Sequence, residues 1–429
     1  MNYYLGIDFG TSGARGITLD SGKKIVSQVS YSFPNQVNSN LGLYWQKALY
    51  SLLEKVPLEV RKEIKAIAIN GTSSTVLLCD EQGNLISEPL LYNDDRGKIF
   101  LDEIANTAPS NHVVISATSS LAKLFWYRQQ SFFGRAKYFL HQADWLSFLL
   151  HREIGISDYH NALKLGYDVD NFCYPDWLEN LGLNYLLPQV LSPGTPIKEI
   201  TKNIRDRFYF PSDCIICTGT TDSIAAFLAS GAKQPGEAVT SLGSTLVLKL
   251  LSEQKIEASQ YGVYSHRLGD LWLTGGASNT GGAVLKHFFS DRELEELSRQ
   301  INPKITSNLE YYPLLKPGER FPLNNPNLQP KLSPIPENKI DFLHGLLFSM
   351  AKIEAQGYSK LQELGATKPT QVYTAGGGAK NCVWEQIRQD CLQVPVIAAK
   401  NTEAAYGTAL LALQAVYLTS GKTPDLWER

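Results

Sequence analysis

The chain has 429 residues, a formal net charge of −2, six scattered cysteines and 43% hydrophobic residues. This length exceeds the roughly 100–200 residues of one domain, so we expect two large lobes, each with a buried core. The near-neutral charge, without a run of Lys or Arg, argues against nucleic acid as a partner. No stretch approaches the ~20 apolar residues of a membrane span, and the amino terminus lacks a secretory signal pattern. These features predict a soluble cytoplasmic protein.

The chain opens with two β-prone runs, residues 4–7 and 14–19, around a Gly-Thr-Ser-Gly turn at residues 10–13. This pattern is typical of a hairpin. The turn glycines and hydroxyls suit a phosphate group. Asp8, at the mouth of the first strand, repels phosphate, which fits a cation such as Mg²⁺ between the two. The alternative is an ordinary hairpin in which Asp8 only caps the turn.

Hydrophobic periodicity predicts a mixed α/β lobe in the first half of the chain. Strands are expected over residues 24–33, 64–70, 76–79 and 214–218. Helices are expected over residues 43–54, 122–130, 144–150 and 224–230. Residues 190–210 are Pro-rich and then strand-like. A polar segment at residues 231–237 predicts the lobe boundary, giving domains 1–230 and 231–429.

The second half begins as the first does, with a hairpin whose turn holds Gly and Ser. Its strands are expected over residues 238–242, 245–250, 372–375 and 394–398. Its helices are expected over residues 283–289, 340–364, 383–392 and about 403–420, the last one packing back at the lobe interface. Residues 303–336 predict an irregular loop. A run of three glycines joins a strand to a helix at residues 376–378, a geometry that lets backbone approach a flat or anionic ligand.

These motifs together resemble the FGGY family of carbohydrate kinases. DFGTS at residues 8–12 resembles the first phosphate motif of the family, SLGST at 241–245 the second, and residues 375–381 the adenosine motif. TGTTDS at residues 218–223 resembles the segment that carries the family's catalytic Asp. NDDR at residues 93–96 resembles part of the segment that lines its sugar site. Among family members, the short xylulose-kinase-like, D-ribulose kinase group of cyanobacteria and plants is the most similar. If the protein comes from a plant and is already processed, the expected location is the plastid stroma instead of the cytoplasm.

The resemblance implies two ribonuclease-H-like lobes of the actin and hexokinase type, with ATP, Mg²⁺ and a small sugar in a cleft between them. It implies Asp222 as general base and Asp8 as a second catalytic residue that binds Mg²⁺ through water. ATP ligands would be Thr11, Ser12, Gly13, Gly243, Ser244, Thr245, Gly376, Gly377, Gly378 and Asn381. Sugar ligands would be Asp8, Thr72, Ser73, Asn93, Asp94, Asp222 and Ser223. The alternative for Asp222 is a helix N-cap.

The sugar loop departs from the family pattern. Residues 70–74 read NGTSS where xylulose kinases have a Gly-Gln-Met-His-Gly loop, so no histidine is available there. This departure leaves the identity of the sugar open. The resemblance to the short D-ribulose kinase group implies D-ribulose as the substrate, with D-xylulose as the alternative. An actin- or chaperone-type ATPase and a sugar-sensing pseudo-kinase remain as further alternatives.

Overall fold

The computed structural model describes residues 1–34, 40–419 and 421. The chain divides into two compact units. The first unit comprises Met1–Ala229 and the segment from Glu403, and the second comprises Ser230–Thr402. Within the described ranges, no helix combines the length and apolar character needed to cross a bilayer.

The first unit is a mixed α/β structure. Its strands are Tyr3–Phe9 (β1), Gly13–Asp20 (β2), Ile25–Ser32 (β3), Ile64–Gly71 (β4), Val76–Cys79 (β5), Tyr138–His141 (β6), Ile156–Asp158 (β7), Gln189–Leu191 (β8), Pro196–Glu199 (β9), Ile215–Cys217 (β10) and Thr220–Thr221 (β11). Its helices before the boundary are Leu41–Lys55 (α1), Leu58–Arg61 (α2), Leu101–Thr107 (α3), Ser120–Arg128 (α4), Gln142–His151 (α5), Tyr159–Ala162 (α6), Asp176–Glu179 (α7), Lys202–Phe208 (α8) and Asp222–Ser230 (α9).

The second unit repeats the mixed α/β pattern. Its strands are Glu237–Leu242 (β12), Leu246–Ser252 (β13), Tyr264–Leu268 (β14), Leu271–Ser278 (β15), Gln371–Ala375 (β16) and Val396–Ala398 (β17). Its helices are Gly282–Phe288 (α10), Asp291–Ser298 (α11), Lys339–Glu363 (α12) and Cys382–Leu392 (α13). The last helix of the chain, Ala404–Thr419 (α14), returns to the first unit. Residue 420, to which that helix was predicted to extend, lies outside the described residues.

The main sheets of the two units share one strand pattern. In the first unit the order is β3-β2-β1-β4-β10-β9, and β11 also pairs with β4. In the second unit the order is β14-β15-β13-β12-β16-β17. Each sheet has an antiparallel hairpin whose first strand also pairs in parallel with a later strand. In the first unit β1 pairs with β4, and in the second unit β12 pairs with β16. The predicted likeness between the two halves of the chain is therefore present in both sheets.

The sheet of the first unit is covered on both faces. Side chains alternate along β1, so that Leu5, Ile7 and Phe9 enter a core shared with α1 and α5. The opposite face carries Gly6 and packs against α14. A Cβ atom at Gly6 would lie 2.1 Å from the backbone nitrogen of Ala409, so only glycine allows this approach. Helix α14 is therefore part of the first unit's core.

One predicted segment is wrong in its secondary structure. The strand-like interpretation of residues 190–210 fails at its end, where α8 forms instead. Ile204 and Phe208 are four residues apart and both are buried, while the three residues between them are all charged. That spacing places the two apolar side chains on one helical face. Two apolar residues in a short, basic segment gave too weak a period to identify the helix.

Candidate active site

Three neighbouring strands bring the two predicted catalytic residues to one edge of the first unit's sheet. Asp8 near the end of β1 is the register partner of Asn70 in β4, and Asn70 in turn pairs with Thr220 in β11. Asp222 follows β11 directly and opens α9. Because β1, β4 and β11 are parallel, their carboxyl ends meet at the same edge. Residues from widely separated parts of the chain therefore converge there.

Asp8 and Asp222 interact electrostatically. The pKa of Asp8 is raised to about 7, first by burial and then by the negative charge of Asp222. The positive charge of Arg15 and the neighbouring Asn70 amide oppose this rise in the pKa. The charges of Asp8 and Asp222 therefore influence each other.

Asp8 also has an unpartnered oxygen. Its Oδ1 atom is buried and has no hydrogen-bond partner among the described residues. A buried carboxylate oxygen without a donor is unusual in proteins and fits a bound cation or its water. The described residues contain no group of three or more His, Cys, Asp or Glu side chains arranged as metal ligands. A Mg²⁺ ion here would therefore take most of its ligands from water and phosphate.

Helix α14 supports the elements that carry both carboxylates. Thr408 accepts a hydrogen bond of 2.5 Å from Nδ2 of Asn70, the residue beside Asp8. A Cβ atom at Gly407 would lie 1.9 Å from the carbonyl oxygen of Ala225 in α9. The backbones of α14 and α9 are thus in direct contact. The positions of Asp8 and Asp222 both depend on this helix, which sequence reasoning did not connect with the site.

Asp222 makes a local hydrogen bond at the start of α9. Its Oδ1 accepts a bond of 2.7 Å from the backbone nitrogen of Ser223. Ser223 itself is exposed.

The first predicted phosphate loop is a tight turn with exposed hydroxyls. The backbone nitrogen of Gly10 donates to the carbonyl of Gly13 at 3.0 Å, closing the turn between β1 and β2. The carbonyl of Ser12 accepts from the nitrogen of Phe33, which fixes the turn against the end of β3. Thr11 and Ser12 are exposed. Their side chains are available to a ligand.

The second predicted phosphate loop lies against the start of α10. Gly243 and Ser244 accept hydrogen bonds from the backbone nitrogens of Gly282, at 2.8 Å, and Ala283, at 3.1 Å. Gly281 adopts a φ of 143°, and a Cβ atom there would lie 2.8 Å from the Ser244 carbonyl. The GGASNTGG segment at residues 275–282 therefore serves to fasten this loop.

The predicted adenosine motif adjoins the same loop. Strand β16 pairs with β12, and a Cβ atom at Gly376, whose φ is 84°, would lie 2.6 Å from the carbonyl of Leu242. Gly377 has open space around it. Asn381 is engaged within the protein: its Oδ1 accepts from the nitrogen of Trp384 at 3.0 Å, and its Nδ2 donates to Ser298. Asn381 is thus the N-cap of α13.

A fully buried ion pair lies beneath the second unit's loops. Arg388 in α13 donates to both carboxylate oxygens of Glu354 in α12, at 2.6 and 2.8 Å. Arg388 also donates to Thr374 in β16, and Thr240 in β12 donates to Glu354. The network joins two helices to the two strands that precede the phosphate and adenosine loops. Sequence reasoning missed it because its members are far apart in the chain.

The predicted sugar ligands differ in their availability. Thr72 is buried, and its hydroxyl lies 2.5 Å from that of Thr75. Asp94 is paired with Arg96 at 2.6 Å. Ser73 is half-buried and Asn93 is exposed. Thr72 and Asp94 therefore already have partners within the protein.

Sequence reasoning also missed Lys123, which is buried in α4. Burial lowers its pKa to about 7, an effect opposed by the carboxylate of Asp94. Its side chain reaches the carbonyls of Ser74, Leu91 and Tyr92, in the two segments that carry the predicted sugar ligands. The signal in the sequence was a single cation within the apolar run at residues 121–125.

Comparison with known proteins places the chain in a family. Residues 3–229 match the N-terminal domain of the FGGY family of carbohydrate kinases, and residues 238–416 match its C-terminal domain. The chain belongs to this family and is an ATP-dependent carbohydrate kinase. The family and the mixed α/β, two-domain fold predicted from the sequence are confirmed.

Individual relatives are distant but match over nearly the whole chain. A xylulose kinase of Staphylococcus epidermidis is 23% identical over 95% of this chain and 87% of its own. A gluconokinase of Bacillus subtilis is 22% identical over 96% of this chain and 88% of its own. Their names refer to different sugars.

Solved structures show the same fold. A ligand-bound xylulose kinase from Lactobacillus acidophilus superimposes with a TM-score of 0.82 at 18% identity, covering 99% of this chain and 91% of that one. A glycerol kinase from Plasmodium falciparum with ADP gives a TM-score of 0.84 at 17% identity, covering 97% and 90%.

Proposed function

We propose that the protein transfers the γ-phosphoryl group of ATP to the terminal hydroxyl of a small ketose, with D-ribulose as the preferred substrate. The observation that carries this proposal is the Asp8–Asp222 pair at the sheet edge of the first unit. Two carboxylates at one edge supply the two roles that the reaction needs, a proton acceptor and a partner for a cation.

Asp222 is the general base in this proposal. Phosphoryl transfer leaves the protein mainly positioning and charge stabilisation to perform. As the acceptor oxygen attacks the γ-phosphorus, its proton passes to Asp222 and the bond to the β-phosphate oxygen breaks. ADP and the sugar phosphate are the products.

The nucleotide contacts are assigned to both phosphate motifs and the adenosine motif. In the first unit, Thr11, Ser12 and Gly13 bind phosphate oxygens. In the second, residues 243–245 bind phosphate, and glycines 376–378 contact the adenosine. Asn381 shapes this last contact as the cap of α13.

Asp8 is proposed to hold Mg²⁺ through water, consistent with its buried, unpartnered Oδ1. When bound, the ion supplies positive charge that neutralises the phosphate oxygens. The protein contributes a buried carboxylate whose charged form is costly without a cation nearby.

The sugar assignment rests on the segments at residues 72–74 and 91–94. Ser73 and Asn93 are predicted ligands there with accessible side chains, and Ser223 at the start of α9 joins them. The choice of D-ribulose comes from the resemblance to the short D-ribulose kinase group, and D-xylulose is the alternative. Residues 70–74, NGTSS, lack the histidine of the xylulose-kinase loop.

The test measures ADP formation with a panel of ketoses and polyols. We expect D-ribulose to give the highest kcat/KM, and a higher value for D-xylulose would reverse the assignment. Asp222→Ala should abolish sugar-dependent ADP release while ATP still binds. Asp213→Ala is the control. Asp213 is an exposed aspartate of the same unit; it precedes β10 and forms an ion pair with Lys65. Near-normal turnover of Asp222→Ala would refute the base assignment.

A further inference from the structure

Lys123 makes three hydrogen bonds, all to backbone carbonyls. Nζ donates to Ser74 at 2.7 Å, to Leu91 at 2.7 Å and to Tyr92 at 3.3 Å. An ammonium group has three donors and no acceptor, so the three carbonyls match its capacity. They belong to two segments that are separate in sequence, the turn after β4 and the loop that carries residues 91–94. One buried side chain thus joins both.

The first of these segments is under backbone strain. Ser74 has a φ of 62°, a left-handed conformation that residues other than glycine rarely adopt. Ser74 is buried, and its hydroxyl has no hydrogen-bond partner among the described residues. Such a conformation persists only where the surroundings enforce it. The bond from Lys123 to the Ser74 carbonyl is one such restraint.

The second segment is attached to the same helix at two further points. A Cβ atom at Gly97 would lie 2.6 Å from the Cβ of Ala122, so the loop lies directly on α4. The guanidinium of Arg96 stacks on the ring of Trp126, 4.6 Å from its centroid. Arg96 in turn binds Asp94. Helix α4 therefore sets the position of the loop. Lys123, on the same helix, also binds the turn after β4 and so fixes the loop relative to that turn.

We propose that Lys123 is a positioning residue of the sugar site. Its hydrogen bonds hold the segments 72–74 and 91–94 at the distance from each other that the sugar substrate requires. This inference rests on the proposed function, because both segments are assigned to the sugar. Lys123 acts through the two backbones and does not contact the reacting atoms. Its loss should therefore weaken sugar binding and leave nucleotide binding intact.

Lys123→Met tests this inference, because methionine keeps an unbranched side chain of similar length and removes all three donors. We expect the KM for the sugar to rise about tenfold or more, the KM for ATP to stay unchanged, and kcat to fall less than the sugar KM rises. Leu124→Ala is the matched control. It makes a cavity in the core of the same helix, so it should lower the melting temperature without changing the sugar KM.

The outcomes separate this inference from the proposed function. An unchanged sugar KM in Lys123→Met, or an equal rise in Leu124→Ala, would overturn the role of Lys123 alone. A wild-type protein without sugar-dependent ADP formation would overturn both. If Lys123→Met does not fold, Lys123→Gln, which keeps one amide donor group, should show the same KM pattern with a smaller amplitude.

Discussion

Asp8 combines burial, a neighbouring carboxylate and an oxygen without a hydrogen-bond donor. Each of these disfavours a charged Asp8 in the free protein, and a cation bound in the site would offset this cost. Stability alone does not account for such a residue. The sequence identified Asp8 through its motif, but the pairing with Asp222 depends on strand register between distant segments.

We predict that Asp8→Asn lowers kcat by about 100-fold or more, because the amide keeps the shape of the side chain but supplies no charge for Mg²⁺. Steady-state assays over a range of Mg²⁺ concentrations measure this effect. Asp20→Asn, at the far end of the same hairpin, should leave kcat unchanged. Full activity of Asp8→Asn at saturating Mg²⁺ would remove Asp8 from the mechanism.

A second prediction at this scale concerns pH. The pKa of Asp158 is raised to about 7, first by burial and then by the nearby Asp144. In the unfolded chain the pKa is about 4. Because the folded state binds the proton more tightly, this contribution to stability is fully present below about pH 4 and is lost as the pH rises towards 7.

Asp158→Asn removes that titration. As the pH rises from 4 to 7, the free energy of unfolding of the variant should therefore increase relative to that of the wild type. The difference should change by up to about 1.4 kcal/mol per pH unit. Urea unfolding of both proteins at several pH values measures the difference. A difference that stays constant with pH would show that Asp158 titrates normally.

At the scale of elements, the hairpins were the most predictable parts. Each has two β-prone runs around a turn of glycine and hydroxyl residues, which is local information. The contacts of α14 were not predictable in the same way. Its near-continuous apolar sequence identifies a buried helix but not the sheet that buries it.

The contact between α14 and α9 gives a prediction about Gly407. Gly407→Ala places a methyl group against the carbonyl of Ala225, and we expect it to destabilise the protein by about 1–3 kcal/mol and to lower kcat by displacing α9 with Asp222. Thermal unfolding and steady-state kinetics measure both effects. Gly134→Ala is the control, since no atom lies within 4 Å of the added methyl. Equal behaviour of the two variants would contradict the role of α14.

The buried ion pair of the second unit gives another prediction. Arg388→Met leaves Glu354 buried without its cation, and we expect a loss of about 3–5 kcal/mol of stability. The double variant Arg388→Met with Glu354→Leu should be less destabilised than the single one, because no charge is then left buried. Chemical denaturation of Arg388→Met, Glu354→Leu and the double variant completes the cycle. Additive losses would show that the two side chains do not depend on each other.

At the scale of the whole molecule, sequence alone indicated two similar halves, and both sheets have the same core order. The last helix comes after the second unit in the chain, but its contacts place it in the first unit, which includes the segment from Glu403. The nucleotide motifs were recognisable because each is a short, continuous segment. Lys123, Arg388 and Thr408 were not, because their roles arise from partners more than 10 residues away in the chain.

Helix α14 has a consequence for how the protein is made. The ribosome synthesises all of the second unit before it reaches Ala404, so the nascent first unit waits with one face of β1 and β4 uncovered. Gly6 and Asn70, which contact α14 in the finished protein, are on that face. Exposed sheet surface of this kind is prone to aggregation during translation. The first unit thus completes its core only after α14 has been synthesised.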